Sequence, residues 1–444
     1  MSEASLNPID GIERVEVGES VALLVPDPSL PMVRFAFALR YGAWADPQGR
    51  SGATQVLLEL MSRGTRSKSR LAFYDALEGM GSSLSVTVGD EVAVVRGVCL
   101  KRFLEPTMEL LLELLTEPAL EPSELSLLIE ECQEELRNDR DDDDELAAYF
   151  LRRELCRDHI MGRDPAGTVA SLGEFTREEL AELFTRRFHP AHHVWFFGGD
   201  LDREVVLRTV ERAGEVLDGE PFELKPSPLE APAGPRILLV DKPDRSQVQT
   251  RIAAPTPSAF MEDSALLWLG AVAFGGTFTS PFTREVRDVR GWSYFASAGY
   301  RRRRRNTASW VLSAATGTED VVDCLELQLS MFNQLAKEGS PLEEIERARS
   351  YLLNRYPFTI ATPAEMLLPV LQNELLGQPA SEIYDFAERL KSFEATEVQD
   401  AVVRNLAPER YVGVLVGTAS LLEDDLRRRF PNADITVVDY KDGL

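Results

Sequence analysis

The sequence predicts an α+β protein built from two homologous domains, each a mostly antiparallel sheet packed with helices. Three features predict this fold: a length of 444 residues, an internal repeat, and strand patterns that follow one another directly. A chain of this length exceeds one ordinary domain and suits two. Because consecutive strands lack crossover helices between them, a doubly wound parallel sheet is disfavoured.

The repeat relates the segment Leu172 to Gly199 to the segment Leu390 to Gly417, without a gap and at an offset of 218 residues. Both segments predict a capped helix, a proline-led loop, a buried strand and a glycine turn, followed by a further helix (202–216 and 420–430). The matching pairs are Leu172/Leu390, Phe175/Phe393, Glu179/Glu397, Arg186/Arg404, Pro190/Pro408, Val194/Val412 and Gly199/Gly417.

A period this long is incompatible with a solenoid and indicates two copies of one domain. We therefore predict an N-terminal domain at 1–218, a proline-rich semi-rigid linker at 219–235 and a C-terminal domain at 236–444. Alternating apolar residues predict strands, and helical spacing predicts helices. The strands are Val33–Leu39, Val92–Val98 and Trp310–Ala315, and the helices are 102–117, 122–157 and 319–337.

The composition limits the classes of function that this chain can have. The formal net charge of −25 repels phosphate backbones and argues against nucleic acid as a partner. Four cysteines without a Cys-x-x-Cys pair indicate buried free thiols in a reducing compartment. The first residues lack a signal pattern, and no run of 18 apolar residues predicts a membrane span. We therefore expect a cytoplasmic protein.

The segment Gly52–Thr65, GATQVLLELMSRGT, carries the first chemical clue. It resembles the zinc-binding helix of the pitrilysin/insulinase metallopeptidases, or inverzincins, whose motif is His-x-x-Glu-His. Aligned on Gly64-Thr65, the motif falls on Gln55, Leu58 and Glu59. Positions i and i+4 share a helix face, so two histidines there would bind zinc. The amide, the carboxylate and the apolar side chain found instead remove metal affinity and the general base.

The resemblance implies a third zinc ligand, a glutamate on a later helix, and Glu135 matches its place, with Glu134 and Glu131 as rivals. We nevertheless predict no metal site in this chain. The purely structural interpretation is a buried helix in which Gln55 and Glu59 are paired with each other or with Arg63, because buried polar groups are usually hydrogen-bonded.

The second clue is the segment Phe274–Tyr300, FGGTFTSPFTREVRDVRGWSYFASAGY. Ser280-Pro281 predicts a helix start and Gly291 a helix end, so Arg287 falls in the last turn and Tyr294 at a strand entrance. The resemblance implies that these two residues, seven apart, contact the substrate backbone beside the scissile carbonyl. A guanidinium and a phenol aimed at developing negative charge would stabilise the transition state. The alternative is a surface arginine and a half-buried strand tyrosine.

The remaining candidate residues, four histidines and two charge runs, give weaker indications of a functional site. The four histidines are His159, His189, His192 and His193, and the last three lie in a loop rather than on one helix face, which disfavours a metal site. Two charge runs, Arg301–Arg305 and Asp139–Glu145, are most simply solvated. As second options, the arginines would dock an acidic partner, and the acidic run would attract basic peptides.

The resemblance covers almost the whole chain and implies one half of a clam-shell chamber. It implies the subunit of a heterodimeric metallopeptidase that holds the Arg/Tyr pair and is inactive alone. Zinc would be supplied by a partner subunit with an intact His-x-x-Glu-His motif, and peptides would be the substrates. The rival hypotheses are an inactive homologue serving as a scaffold or core protein, and a peptide-binding module without a partner. Self-association into a homodimer also stays open.

Overall fold

The computed structural model describes residues 11–157, 159–225, 229–230, 232–256, 263–301, 308–375 and 377–442. Within them, the chain forms two six-stranded sheets. The first sheet contains β1 (Glu13–Val17), β2 (Ser20–Pro26), β3 (Met32–Leu39), β4 (Ser83–Val88), β5 (Ala93–Leu100) and β6 (His193–Gly199). The second contains β7 (Arg236–Asp241), β8 (Gln247–Thr256), β9 (Ala296–Arg301), β10 (Ala308–Gly317), β11 (Val412–Gly417) and β12 (Asp434–Asp439).

Helices surround both sheets. In the first half they are α1 (Ala53–Met61), α2 (Arg70–Gly79), α3 (Leu104–Thr116), α4 (Pro122–Asp139), α5 (Asp143–Cys156), α6 (Val169–Gly173), α7 (Arg177–Arg187) and α8 (Arg203–Val216). In the second half they are α9 (Ser264–Gly275), α10 (Pro281–Thr283, continued by a π-helix at Arg284–Val289), α11 (Val321–Glu338), α12 (Leu342–Thr359), α13 (Pro363–Leu375), α14 (Glu382–Ser392), α15 (Ala395–Asn405) and α16 (Ala419–Arg429).

The two sheets repeat the arrangement of five strands and differ at one edge, where β1 is antiparallel to β2 but β12 is parallel to β7. The first has the order β1-β2-β6-β3-β5-β4 and the second β12-β7-β11-β8-β10-β9. In each sheet the third strand along runs parallel to the second and antiparallel to the fourth. The repeat is in register, because Val194 of β6 faces Ala38, and Val412 of β11 faces Ala253. The prediction of two homologous α+β halves with mostly antiparallel sheets is confirmed.

The element predictions hold except at one helix. The three predicted strands overlap β3, β5 and β10, and the predicted helices 102–117 and 319–337 agree with α3 and α11 to within two residues at each end. The predicted long helix 122–157 is wrong, because the chain breaks after α4 and restarts as α5. Asp142 caps the new helix: its carboxylate accepts from the backbone amides of Asp144 (2.8 Å) and Glu145 (3.2 Å).

Each sheet has two apolar faces, and one face of each is covered by a helix from the other half of the sequence. On the first sheet, α13 inserts Met366 and Val370 against a face that includes Phe196. On the second, α5 packs Phe150 against a face that includes Val414. Burying these faces removes apolar surface that the sheets would otherwise expose to water.

The compact units of the fold therefore depart from the contiguous domains 1–218 and 236–444. Arg137–Arg163 belongs to the unit of the second sheet, and Arg355–Ala387 belongs to the unit of the first. The predicted boundaries followed the sequence repeat, whereas compactness follows the helix that covers each sheet. The linker 219–235 is described except for residues 226–228 and 231, and no helix or strand occurs in the described part before β7.

Ion pairs attach the two covering helices, α5 and α13, to their sheets. The ammonium of Lys242, 3% exposed, donates to the carbonyls of Arg140 (2.7 Å) and Asp141 (3.0 Å) and to the carboxylate of Asp143 (2.6 Å). Asp144 pairs with Arg251 at 2.6 Å. The interpretation of the acidic run Asp139–Glu145 as solvated is wrong for Asp143 and Asp144, because their carboxylates pair with Lys242 and Arg251.

Glu374 plays the corresponding part on α13. Its carboxylate lies 2.9 Å from Arg14 and 2.7 Å from Arg40, which come from β1 and the end of β3. Burial alone would raise the pKa of Glu374, but the two guanidinium groups outweigh it and hold that pKa below its usual value. Both covering helices are thus attached by an ion pair as well as by apolar packing.

We expect Lys242→Met to destabilise the fold by on the order of 3 kcal/mol, because it leaves Asp143 and two carbonyl groups without their buried cation. The free energy of unfolding, measured with urea, checks this. Lys337→Met in the last turn of α11 is the control. A Lys242 variant as stable as the control would show that the ion pair does not attach α5.

Candidate functional site

The first candidate site lies on α1, which begins from a rigid turn. Gly52 has a φ of 91°, a conformation that favours glycine, and it lets the chain enter the helix. The buried carboxylate of Asp46 accepts from the backbone amides of Gly52 (2.8 Å) and Thr54 (2.9 Å). Burial raises the pKa of Asp46 to about 6. The orientation of α1 is therefore set by one capping carboxylate.

The three zinc-motif positions are used for packing and mutual pairing. Gln55 and Glu59 share a helix face, and the Gln55 amide donates to the Glu59 carboxylate. The thiol of Cys132 on α4 lies 3.8 Å from the same carboxylate. Leu58, at the position of the base, is buried in the core. The prediction that Gln55 and Glu59 are paired with each other is confirmed.

Glu135, which the resemblance placed at the position of a third zinc ligand, lies near this pair. Burial raises the pKa of Glu59, and the nearby Glu135 carboxylate raises it further. Of its rivals, Glu131 pairs with Arg63 instead. Burial and the carboxylates of Glu59 and Glu135 together raise the pKa of the Cys132 thiol to about 12, so the thiol stays protonated at neutral pH.

These residues do not fit a zinc ion. A zinc site needs three or four converging nitrogen, sulfur or carboxylate ligands, whereas Gln55 offers an amide already engaged with Glu59. The part of the chain that the structure describes contains no group of three His, Cys, Asp or Glu side chains placed to hold a metal ion. Leu58 cannot accept a proton. The chemistry of this site is therefore that of a packed helix.

The histidine loop is structural. His193 at the start of β6 is fully buried among Phe37, Phe188 and Trp195, and burial lowers its pKa to about 3. His192 accepts a hydrogen bond from the amide of Phe222 at 3.1 Å, and burial lowers its pKa to about 4. Both rings are therefore neutral parts of the core at neutral pH.

The second candidate site lies where the π-helix meets β9, within the unit of the second sheet. The Arg287 guanidinium lies 4.6 Å from the centre of the Phe278 ring and 5.3 Å from that of Tyr294. Tyr294 is 81% exposed and precedes β9 by two residues. The structure thus brings the two predicted site residues together, with the guanidinium between two aromatic rings.

A network of hydroxyl groups sets the turn that carries Tyr294. The Ser293 hydroxyl donates to the carbonyl of Phe295 (2.6 Å) and accepts from the amide of Ala315 on β10 (3.2 Å). The Thr283 hydroxyl donates to the carbonyl of Ala296 (3.0 Å) and so joins α10 to β9. Sequence reasoning missed Ser293 and Phe278.

The comparisons with known proteins decide the family. Residues 21–168 match the family model described as insulinase (peptidase family M16), and residues 174–352 match the model described as the peptidase M16 inactive domain. Together these two models span most of the chain. The chain belongs to the insulinase family, M16.

Two curated relatives of this M16 protein are informative. An uncharacterized zinc protease of Streptomyces coelicolor is 23% identical over 86% of this chain and 84% of its own length. A non-peptidase homolog of Helicobacter pylori, YmxG, is 22% identical over 84% of this chain and 86% of its own length. Similar sequences in the family thus carry both kinds of name.

Solved structures agree with the fold. A peptidase M16 inactive domain from Pseudomonas fluorescens superimposes with a TM-score of 0.86 at 20% identity, covering 92% of this chain and 98% of that one. The periplasmic protease PqqL from Escherichia coli matches with a TM-score of 0.76 at 14% identity, over 97% of this chain and 51% of that one. Identities this low show the architecture alone.

Two further expectations concern the environment of this M16 protein. Cys99, Cys132, Cys156 and Cys324 are buried thiols that form no disulfide, in agreement with the sequence prediction. Among the described residues, no helix has both the length and the apolar character needed to cross a bilayer. Of the arginine run, Arg301 ends β9, and residues 302–305 lie outside the described part.

We expect the purified chain, stripped with chelator and given zinc, to retain no stoichiometric metal, whereas Gln55→His combined with Glu59→His should bind about one zinc ion per chain with Glu135 as the carboxylate ligand. Metal analysis and calorimetry check this. Adding Glu135→Gln to the double variant should weaken its zinc binding. Tight zinc on the unmodified α1 would contradict our description of the site.

Stability should fall on acidification through the buried histidines. The folded pKa values of His193 and His192 lie below the ordinary value near 6.5, so the unfolded chain takes up protons first. The stability that the neutral rings contribute is complete above about pH 7 and is lost as pH falls toward 4. His193→Phe should reduce the slope of unfolding free energy against pH by about 1 kcal/mol per pH unit. Urea unfolding between pH 4.5 and 7.5 measures it, and an unchanged slope would refute the assignment.

Proposed function

We propose that this protein is the non-zinc-binding subunit of a heterodimeric M16 metallopeptidase that hydrolyses peptides. The observation that carries the proposal is the contrast between its two candidate sites. The zinc positions on α1 hold Gln55, Leu58 and Glu59, which are buried or paired, while Arg287 and Tyr294 lie together at the surface. A partner subunit with an intact His-x-x-Glu-His helix would supply the zinc ion and the general base.

The chemistry assigned to this chain is electrostatic. Attack on a peptide carbonyl places negative charge on the carbonyl oxygen, and donors already aimed at that oxygen lower the barrier. The Arg287 guanidinium and the Tyr294 hydroxyl are such donors. Contact with the Phe278 and Tyr294 rings restrains the guanidinium, so little rotamer freedom is lost on binding. The partner's zinc ion would activate the attacking water.

The similarity to PqqL supports a partner of the same fold. The structural match spans 97% of this chain but only 51% of that protease, so the longer protein has room for two such halves. Two separate chains would reach the same composition by association. The proposed complex therefore pairs this chain with a zinc-bearing M16 subunit, and we expect it in the cytoplasm, where free thiols such as those observed persist.

A second candidate function is a scaffold without catalysis. The name of the Helicobacter pylori relative, a non-peptidase homolog, and the description of the C-terminal family model as an inactive domain favour it. Under this hypothesis, Arg287 and Tyr294 have no substrate. The two hypotheses differ in one measurable respect, which is whether a complex with a zinc-bearing subunit depends on these residues for hydrolysis.

We expect Arg287→Gln or Tyr294→Phe to lower kcat/KM of the assembled complex by about 100-fold or more, since one lost oxyanion donor costs about 2.7–4 kcal/mol. Assembly, followed by size-exclusion chromatography, should not change. Arg284→Gln, an exposed arginine on the same π-helix, is the matched control. Equal hydrolysis by the complex with and without Arg287 would leave only the scaffold hypothesis.

A further inference from the structure

A pocket of about 490 Å³ opens beside Tyr294, within the unit of the second sheet. Its size suits a ligand side chain with room to spare, since small-molecule sites start at about 300 Å³. No Asp, Glu, Lys, Arg or His lines it, although the protein as a whole is rich in charge. The lining residues are Gly275, Gly276, Thr277, Phe278, Thr279, Thr283, Tyr294, Phe295, Ala296, Ser297 and Tyr351.

The rim of this pocket is aromatic and exposed to water. Phe278 is 59% exposed, Phe295 is 58% exposed, and both adjoin Tyr294 along the pocket. Clustered exposed aromatic side chains cost free energy in water and mark surfaces that are covered on binding. Tyr351, from α12, adds a further aromatic ring to the lining.

Two glycines at the end of α9 line part of the pocket. A Cβ added to Gly275 would lie 2.6 Å from the Cβ of Ala298, and one added to Gly276 would lie 2.6 Å from the Cα of Val272. Each added Cβ would therefore collide with packed protein atoms. The end of α9 approaches β9 closely at Gly275.

The geometry around the pocket suits an extended peptide. The strand β9 is at the edge of its sheet and, within the described residues, pairs only with β10. An extended chain along such an edge projects alternate side chains to one side. The donors Arg287 and Tyr294 lie at the entrance of β9, so a peptide held by them would bring a neighbouring side chain to the pocket.

We propose that Phe278, Phe295 and Tyr351 form a specificity subsite for one large uncharged side chain, aromatic or branched, of an extended peptide. The proposal rests on the proposed function and names its substrate class. Phe278 has a second part as a positioning residue, because its ring stacks on Arg287 and restrains that guanidinium. Charged side chains are disfavoured, since the lining offers them hydroxyl groups but no opposite charge.

The decisive experiment compares three fluorescent nine-residue peptides that differ only at a central Phe, Ala or Glu. In the complex with the zinc-bearing subunit, we expect the Phe peptide to have a kcat/KM about tenfold or more above the Ala peptide, and the Glu peptide to be poorest. The same ranking is expected for binding to the isolated chain by fluorescence anisotropy. Hydrolysis without this preference would overturn the subsite and leave the proposed function standing.

Absence of hydrolysis would instead count against the proposed function, and the anisotropy ranking would still decide on the subsite. Phe278→Ala should abolish the preference for Phe. Phe278→Leu, which keeps the apolar wall but loses the ring over Arg287, should retain the preference and lower kcat for all three peptides. Phe358→Ala, at an exposed phenylalanine outside the pocket, is the control.

A second copy of this chain is the competing occupant of the aromatic rim. Sedimentation velocity at increasing concentration tests it on the unmodified protein and on Phe278→Ala. A monomer at all concentrations agrees with the peptide subsite. A dimer that dissociates in the Phe278 variant, together with equal affinity for the Phe and Ala peptides, would overturn the subsite and assign the rim to self-association.

Discussion

Covering the second face of each sheet is the constraint on which this fold depends. A six-stranded sheet that is apolar on both faces needs two layers of helices, and α13 and α5 supply the second layer for the first and second sheets. Each covering helix comes from the opposite half of the sequence. Cutting the chain in the linker 219–235 would therefore deprive each sheet of one layer. The two halves repeat the arrangement of five strands, yet each compact unit is built from both halves of the sequence.

Polar contacts make this exchange specific. Apolar packing alone would tolerate a covering helix that slides or rotates by one turn, because neighbouring apolar side chains have similar sizes. Lys242 binds two carbonyl groups and a carboxylate before and within the first turn of α5, and Glu374 binds two arginines near the end of α13. Each contact has one geometry that satisfies it, and a shifted helix would leave a buried charge unpaired.

The part of the fold that was predictable from the sequence is the part encoded locally. Strand alternation and the 218-residue repeat predicted the sheets, and the family resemblance implied that Arg287 and Tyr294 act as a pair. The break between α4 and α5 was missed because helical spacing runs across it, and because the residue that binds the start of α5, Lys242, is about a hundred residues from Asp143 in the sequence. Phe278 was missed for a related reason, since stacking on Arg287 leaves no periodic signal.

The two candidate sites have opposite relations to stability, and this contrast separates structure from function. On α1, Leu58 fills the core and Gln55 donates a hydrogen bond to Glu59, so both positions contribute to packing and pairing within the fold. Beside β9, Phe278 and Tyr294 expose aromatic rings whose burial the fold does not achieve. Marginal stability tolerates such exposure, but drift toward polar residues would relieve it. Their position around the Arg287 guanidinium is the feature that the proposed contact with a peptide would explain.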